Sequence, residues 1–285
     1  MSTHATPSGR RTAAAVAVLV IALAVAFPVL LTAIGARQKP GSDPKAIPVA
    51  DALAELARTF SLQVVTKDAH FPVATTHGVI DGKPADARVL APYVAMLTAE
   101  FGLYPPSLVR RMRLERVVIA VDLRFAGMAR GAVPDFEHAT LYLDAACGAE
   151  CGLYQRKVLH HEFFHYLDWV DDWQLYEDPQ WLALNPRDYH YGNGGINAQN
   201  VPTSSLLTDQ YPGFLDYYST TGVEEDKAEV FANLIVERER VDERVKHDAV
   251  LEAKVQRMRD LTKAFCADLG NEFWDRARRL PRPGN

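Results

Sequence analysis

Cysteine is scarce in this chain: there are three in 285 residues. That excludes a disulfide scaffold. Cys147 and Cys151 have no second cysteine pair to complete a zinc ribbon. They are close enough to bridge each other outside a reducing compartment, so a local disulfide and two free thiols both stay open. Cys266 falls in a helical pattern and reads as buried filler. An excess of positive charge is also missing. Lys and Arg number 31 against 36 Asp and Glu, a net charge of −5, which gives nucleic acid nothing to bind. No internal repeat is visible. The chain is not poor in apolar residues: 48% are hydrophobic and 24% charged, a balance that argues against disorder. The length suits one large domain or two small ones.

One long apolar run is present, uncharged from Ala13 to Ile34 and preceded by Arg10 and Arg11. It exceeds the roughly 7–15 residues of a signal-peptide core. It matches the roughly 20 that span a bilayer. It reads as an uncleaved transmembrane anchor. Ala33, Gly35 and Ala36 offer small residues for cleavage if it is a signal instead. The expected organisation is a basic leader over 1–12, an anchor or signal over 13–34, a Pro/Gly linker over 35–48 and one domain over 49–285. The expected location is the cell membrane, single-pass with the domain outside the cytoplasm, or secretion if the leader is removed. Basic residues flank the run on both sides, so orientation rests on the usual behaviour of such leaders.

Within the domain, Ala50–Phe60 and Ala85–Phe101 have helical periodicity. Leu62–Thr66, Val73–Ile80, Arg116–Leu123 and His138–Asp144 read as strands, with a turn at Asp81-Gly82 and a loop over Gly127–Pro134. Whether 49–114 is a prosegment is left open. Helices follow over Leu153–Val170, Glu224 to about Arg240, and Val241–Leu280 with a break near Gly270. The aromatic stretch from Trp173 to Gly195 is too long for an ordinary connection and reads as a functional loop.

The chemistry centres on Leu159-His160-His161-Glu162-Phe163-Phe164-His165. Two histidines four apart on a helix share a face, and both imidazoles can reach one Zn²⁺. Glu162 then stands where it can take a proton from water without being a ligand. A core helix with two incidental histidines is the alternative. A catalytic zinc site needs a third protein ligand and an open position. Asp171, six residues after His165, stays on the same helix without a Gly to turn the chain, so it is a poor ligand. Glu225 and Glu229 are four apart on a later helix. One can bind metal while the other orients a ligand histidine through its free ring N–H. Ala228 and Ala232 allow that helix to pack closely. A solvated acidic helix start is the alternative for this segment.

His-Glu-x-x-His followed by Glu225-Asp226-x-Ala228-Glu229-x-Phe231-Ala232 resembles the gluzincin metallopeptidases. The resemblance is to the group containing the lethal-factor toxin catalytic domain and the zinc-binding metallopeptidases of bacterial envelopes, and it spans roughly Arg116 to Leu280. It implies an α+β, zincin-like fold with a small mixed sheet, an active-site helix and a helical C-terminal part. It implies Zn²⁺ held by His161, His165 and Glu225, with Glu162 as general base. Glu229 would support a ligand histidine, and Tyr218 would assist the developing oxyanion. Tyr217, His190 and Tyr191 are substitutes for Tyr218. The implied activity is zinc-dependent endopeptidase hydrolysis of a protein or peptide substrate at the cell envelope. In zincins of this kind the strand before the active-site helix, here His138–Asp144, pairs with extended substrate along the sheet edge. The aromatic loop would form the other wall. Two alternatives remain. One is an inactive, zinc-stabilised peptide-binding module. The other is an aspzincin-like site, because Asp188-x-x-Tyr191-Gly192 is similar to that family's segment.

Overall fold

The computed structural model describes residues 48–146, 151–192, 194 and 207–282. The apolar run over 13–34 lies outside the described residues. Among them, no helix is long and apolar enough to cross a membrane.

The domain is α+β. Helix α1 (Val49–Phe60) leads through β1 (Gln63–Val65), β2 (Val73–Thr75) and β3 (Gly78–Pro84) to α2 (Ala87–Phe101) and α3 (Pro106–Met112). The Asp86 side chain caps α2, accepting from the Arg88 and Val89 N–H groups at 2.8 and 3.1 Å. Strands β4 (Arg116–Phe125), β5 (Met128–Ala129), β6 (Ala132–Asp135) and β7 (Thr140–Asp144) follow. The C-terminal part is helical: α4 (Leu153–Asp172), the short α5 (Pro179–Leu182), α6 (Val223–Val236), α7 (Arg238–Val245), α8 (Ala249–Phe265) and α9 (Asn271–Arg279).

All seven strands form one mixed sheet organised around β4. β1 and β7 run parallel to its first half, and β3 and β5 antiparallel to its second. Alternation along the strands sorts the core onto two faces. Val117, Ile119, Leu141 and Leu143 join the large cluster under the helices, and Val118 and Tyr142 face a small cluster on the other side.

Several expectations change here. The strand before α4 is not an edge, because β7 lies between β4 and β6. The edge is β6, in the segment read as a loop, and all four of its residues are buried. It therefore offers no open ladder to an extended substrate. Asp81-Gly82 sits inside β3 at a register shift, so no turn forms there. The reversal comes earlier, at Thr76 and His77. The C-terminal helix breaks twice, because Asp248 starts α8 by accepting from the Leu251 N–H at 3.0 Å. Residues 49–114 pack into the same domain as the rest. β1 is a member of the sheet, and the rings of Phe101 and Tyr104 lie 5.5 and 3.9 Å from that of Phe163 on α4.

Helix α4 is fixed from behind by a buried ionic cluster. Glu100 on α2 accepts from Arg156 Nη1 at 2.5 Å and from Arg282 Nε and Nη2 at 2.9 and 2.8 Å. His160 is bracketed: Tyr104 donates to Nδ1 at 2.6 Å and Nε2–H donates to Glu100 at 3.1 Å. This suits a neutral ring, and burial lowers the His160 pKa accordingly. Removing one partner of a buried ionic cluster strands the others. Glu100→Ala is therefore expected to cost about 3–5 kcal/mol of unfolding free energy, measured by denaturant titration.

The sign of a pH effect follows. Burial alone would raise the Glu100 carboxyl, but hydrogen bonds from His160 and Arg282 outweigh it and hold it well below the usual carboxylate range. A group depressed in this way stabilises the fold above its unfolded pKa of about 4.3. That contribution fades as pH falls toward the folded value. Below about pH 4.3 the wild type should lose stability more steeply than Glu100→Gln.

Candidate metal centre

The aromatic packing that seats α4 also aims its histidines. Phe164 of α4 packs on Phe231 of α6 at 5.0 Å between centroids, with Ala228 and Ala232 fully buried. From these helices His161 and His165 of α4 face Glu225 of α6. His161 Nε2 lies 3.0 Å from Glu225 Oε2 and 2.9 Å from His165 Nε2, and His165 Nε2 lies 3.3 Å from the same carboxylate oxygen. These three side chains form a group able to hold a metal ion, and each is no more than 2% exposed.

Their supports come from the surrounding elements. His161 Nδ1 donates to Glu229 Oε1 at 3.0 Å. That bond leaves the Nε2 lone pair aimed at the common point. Glu229 is itself held by Asn233 Nδ2 at 2.9 Å and Lys157 Nζ at 3.3 Å. Burial would raise its carboxyl, but Lys157 and His161 drive it well below the usual range. Asp216 shifts the opposite way, because it is buried beside the charge of Glu229. Tyr218 donates to Glu225 Oε1 at 2.8 Å. In this structure its hydroxyl bonds that carboxylate.

The metal-holding chemistry is legible in the charges. Burial disfavours a positive His161 ring, yet hydrogen bonds to Glu225 and Glu229 overcome that and push its pKa up to about 10. Burial opposes ionised Glu225 too, and the two histidines still bring it down to about 2. Both shifts come from the histidines lying against the carboxylates, and a metal ion held by His161 would displace that proton. Tetrahedral Zn²⁺ with bonds of about 2.0–2.1 Å sets its ligand atoms about 3.3 Å apart. The observed separations of 2.9–3.3 Å lie at or a few tenths of an ångström inside that spacing, so the three atoms need only a small outward movement to hold such an ion.

Glu162, next along α4, is fully buried. Arg130, which sequence reasoning did not single out, is buried just before β6. Burial lowers its pKa, and the nearby charges of Glu162, Tyr218 and Glu225 oppose that shift. Gly131 brings this segment against α4: a Cβ there would meet Val158 Cγ1 at 3.0 Å and the Tyr154 hydroxyl at 3.1 Å. No sequence pattern marked Arg130, whereas Lys157 could have been found four residues before His161 on the same helix face.

The space beside the donors, lined by Pro134, Phe136, His165, Leu175, Tyr176 and Glu224, is too small in this structure to admit water. Only the start of the aromatic loop takes part. Further on, Trp181 Nε1 and the Tyr191 hydroxyl both donate to Asp226 Oδ2, which also receives Lys254 Nζ at 2.7 Å. Tyr191 is thus committed to Asp226, and Asp188 is exposed and outside the metal-capable group. The structure does not assemble the aspzincin-like alternative. Asp171 and His190 are exposed as well, and Tyr217 meets Tyr211 edge-on at 6.1 Å. Cys151 is disulfide-bonded, Cys266 is a buried free thiol, and Cys147 lies outside the described residues.

No family model and no curated protein matches this sequence. A solved structure does share its fold. It is a putative zinc-binding metallo-peptidase from Bacteroides caccae ATCC 43185, with a TM-score of 0.54 over 82% of this chain and 91% of that one. At 16% identity the likeness establishes the fold and leaves the activity to be argued from the site.

Proposed function

We propose that the protein is a zinc-dependent peptidase, a gluzincin-type hydrolase that cleaves peptide bonds. One observation carries the reading. Two histidines and a carboxylate from separate helices converge within 3.3 Å, with a further carboxylate, Glu162, on the same helix between the histidines. A purely structural zinc site has no use for that carboxylate. His161, His165 and Glu225 would hold the ion. Bound there, Zn²⁺ supplies Lewis-acid polarisation of a carbonyl and makes water acidic enough to attack at neutral pH. Glu162 takes the proton of the attacking water and passes it to the departing amine. Glu229 keeps the His161 lone pair directed inward, and Tyr218 holds Glu225. Arg130 brings positive charge close to Glu162, Tyr218 and Glu225. The N-terminal apolar run would hold this domain at the cell membrane.

The role of Glu229 makes its own test. Losing a carboxylate that orients a ligand histidine costs about 10–100-fold in metal affinity. Glu229→Ala is expected to weaken zinc binding by that amount in competition with a chromogenic chelator, while Asp188→Ala leaves affinity unchanged.

A second reading has one observation in its favour: every donor side chain is almost completely buried. A zinc-stabilised peptide-binding module that does not cut would tolerate that closure. Incubating the zinc-loaded full chain with a peptide mixture and mapping products by mass spectrometry separates the two. New termini that vanish with chelator and return with Zn²⁺ support the peptidase.

A further inference from the structure

Asp216 is only 2% exposed and sits between two supports of the metal centre, and the proposed chemistry gives it no role. On one side it fixes the turn Tyr218–Thr220. Its Oδ1 accepts from the Ser219 N–H at 2.8 Å, and the Ser219 hydroxyl donates back to the Asp216 carbonyl at 2.7 Å. That turn carries Tyr218, whose hydroxyl donates to Glu225. On the other side the Asp216 side chain is hydrogen-bonded to Glu229, the carboxylate that receives His161 Nδ1.

Two carboxyl groups can share a hydrogen bond only if one of them holds a proton. Their surroundings decide which. Glu229 Oε1 receives His161, and its Oε2 receives Asn233 Nδ2 at 2.9 Å and lies 3.3 Å from Lys157 Nζ. Asp216 forms no ion pair among the described residues. Lys157 of α4 turns instead to Glu229 and, at 3.4 Å, to Glu237. Arg240 of α7 donates to the neighbouring Leu215 carbonyl at 3.0 Å. A buried carboxyl without a paired cation takes up a proton rather than stay charged. Burial and the Glu229 charge both push the Asp216 carboxyl up, which agrees with that placement of the proton.

We propose that Asp216 is a positioning residue for the metal centre: as a carboxylic acid it donates to Glu229 while accepting from the Ser219 N–H, so one side chain secures the supports of both His161 and Glu225. This rests on the metal-centre reading above.

An amide reproduces both bonds, because its nitrogen donates and its oxygen accepts. In competition with a chromogenic chelator, the full chain carrying Asp216→Asn should bind zinc within about twofold of the wild type, and Asp216→Ala about tenfold more weakly, the effect of one hydrogen bond to a charged group. Denaturant titration with excess zinc gives a second readout. A carboxyl raised in the folded state stabilises most below its unfolded pKa of about 3.9, and that contribution is lost as pH rises. The stability of Asp216→Asn relative to the wild type should therefore increase from about pH 4 to about pH 7. Zinc binding by Asp216→Asn as weak as that of Asp216→Ala, or a relative stability that falls over this range, would overturn the proposal by making Asp216 an anion. Wild-type zinc affinity in Asp216→Ala would overturn it by removing the link to the metal. Should Asp216→Ala not fold, the pH trend of Asp216→Asn decides alone. A folded wild type that binds no zinc rejects the metal-centre reading and the positioning role with it, whereas intact wild-type binding with a failed Asn rescue rejects the proposal alone.

Discussion

Glu162→Gln is expected to leave the chain folded with its zinc in place and to lower kcat by about 10²–10⁴-fold, the usual contribution of a positioned general base. The amide has nearly the carboxylate's shape but cannot accept a proton. KM should change little, since no binding contact is assigned to this side chain. The distinguishing feature is the pairing of intact metal content with lost turnover. Loss of zinc in this variant would mean that Glu162 is a ligand. Unchanged turnover would mean that the proton goes elsewhere. Metal analysis and initial rates on the same preparation give both answers.

Glu225→Ala has the other large effect. It removes the one donor that comes from outside α4. The two histidines that remain are too few to hold a zinc ion tightly, because catalytic sites of this kind use three protein ligands. Zinc is expected to fall below stoichiometric levels and activity with it. The substitution also leaves the Tyr218 hydroxyl without its Glu225 acceptor and His161 with Glu229 as its remaining carboxylate partner. Some loss of stability should accompany it. Glu225→Gln keeps the shape, so comparing the two variants by metal titration and thermal unfolding separates lost charge from lost packing.

The donors were legible because local rules apply to them. Four-residue spacing puts His161 and His165 on one helix face, and the same spacing relates Glu225 to Glu229. The central strand β4 followed from its run of β-branched residues, and the α+β fold class from the resemblance that the two motif helices carry. What escaped depends on long-range packing. His138–Asp144 alternates like a strand, but alternation does not reveal which neighbours a strand acquires. β6 was hidden because Pro134 and the glycines around it read as a loop. Tyr191 belongs to a motif-like segment, yet the nearest strong acceptor in the fold is Asp226. Glu224 looked like one more acid at a helix start. Its burial, and the commitment of Lys227 to Asp168 and Asp178, become visible only in the folded chain. Arg130 carries no pattern, because its position is set by Gly131 passing close to α4.

The most direct test of the account is the position of zinc in a crystal of the full chain, located by anomalous scattering on either side of the zinc absorption edge. The account predicts one site bonded to His161 Nε2, His165 Nε2 and a Glu225 oxygen at about 2.0–2.2 Å, with a remaining position left open. A zinc ion bound at Asp188, or a folded, metal-replete chain with no zinc between α4 and α6, would contradict it.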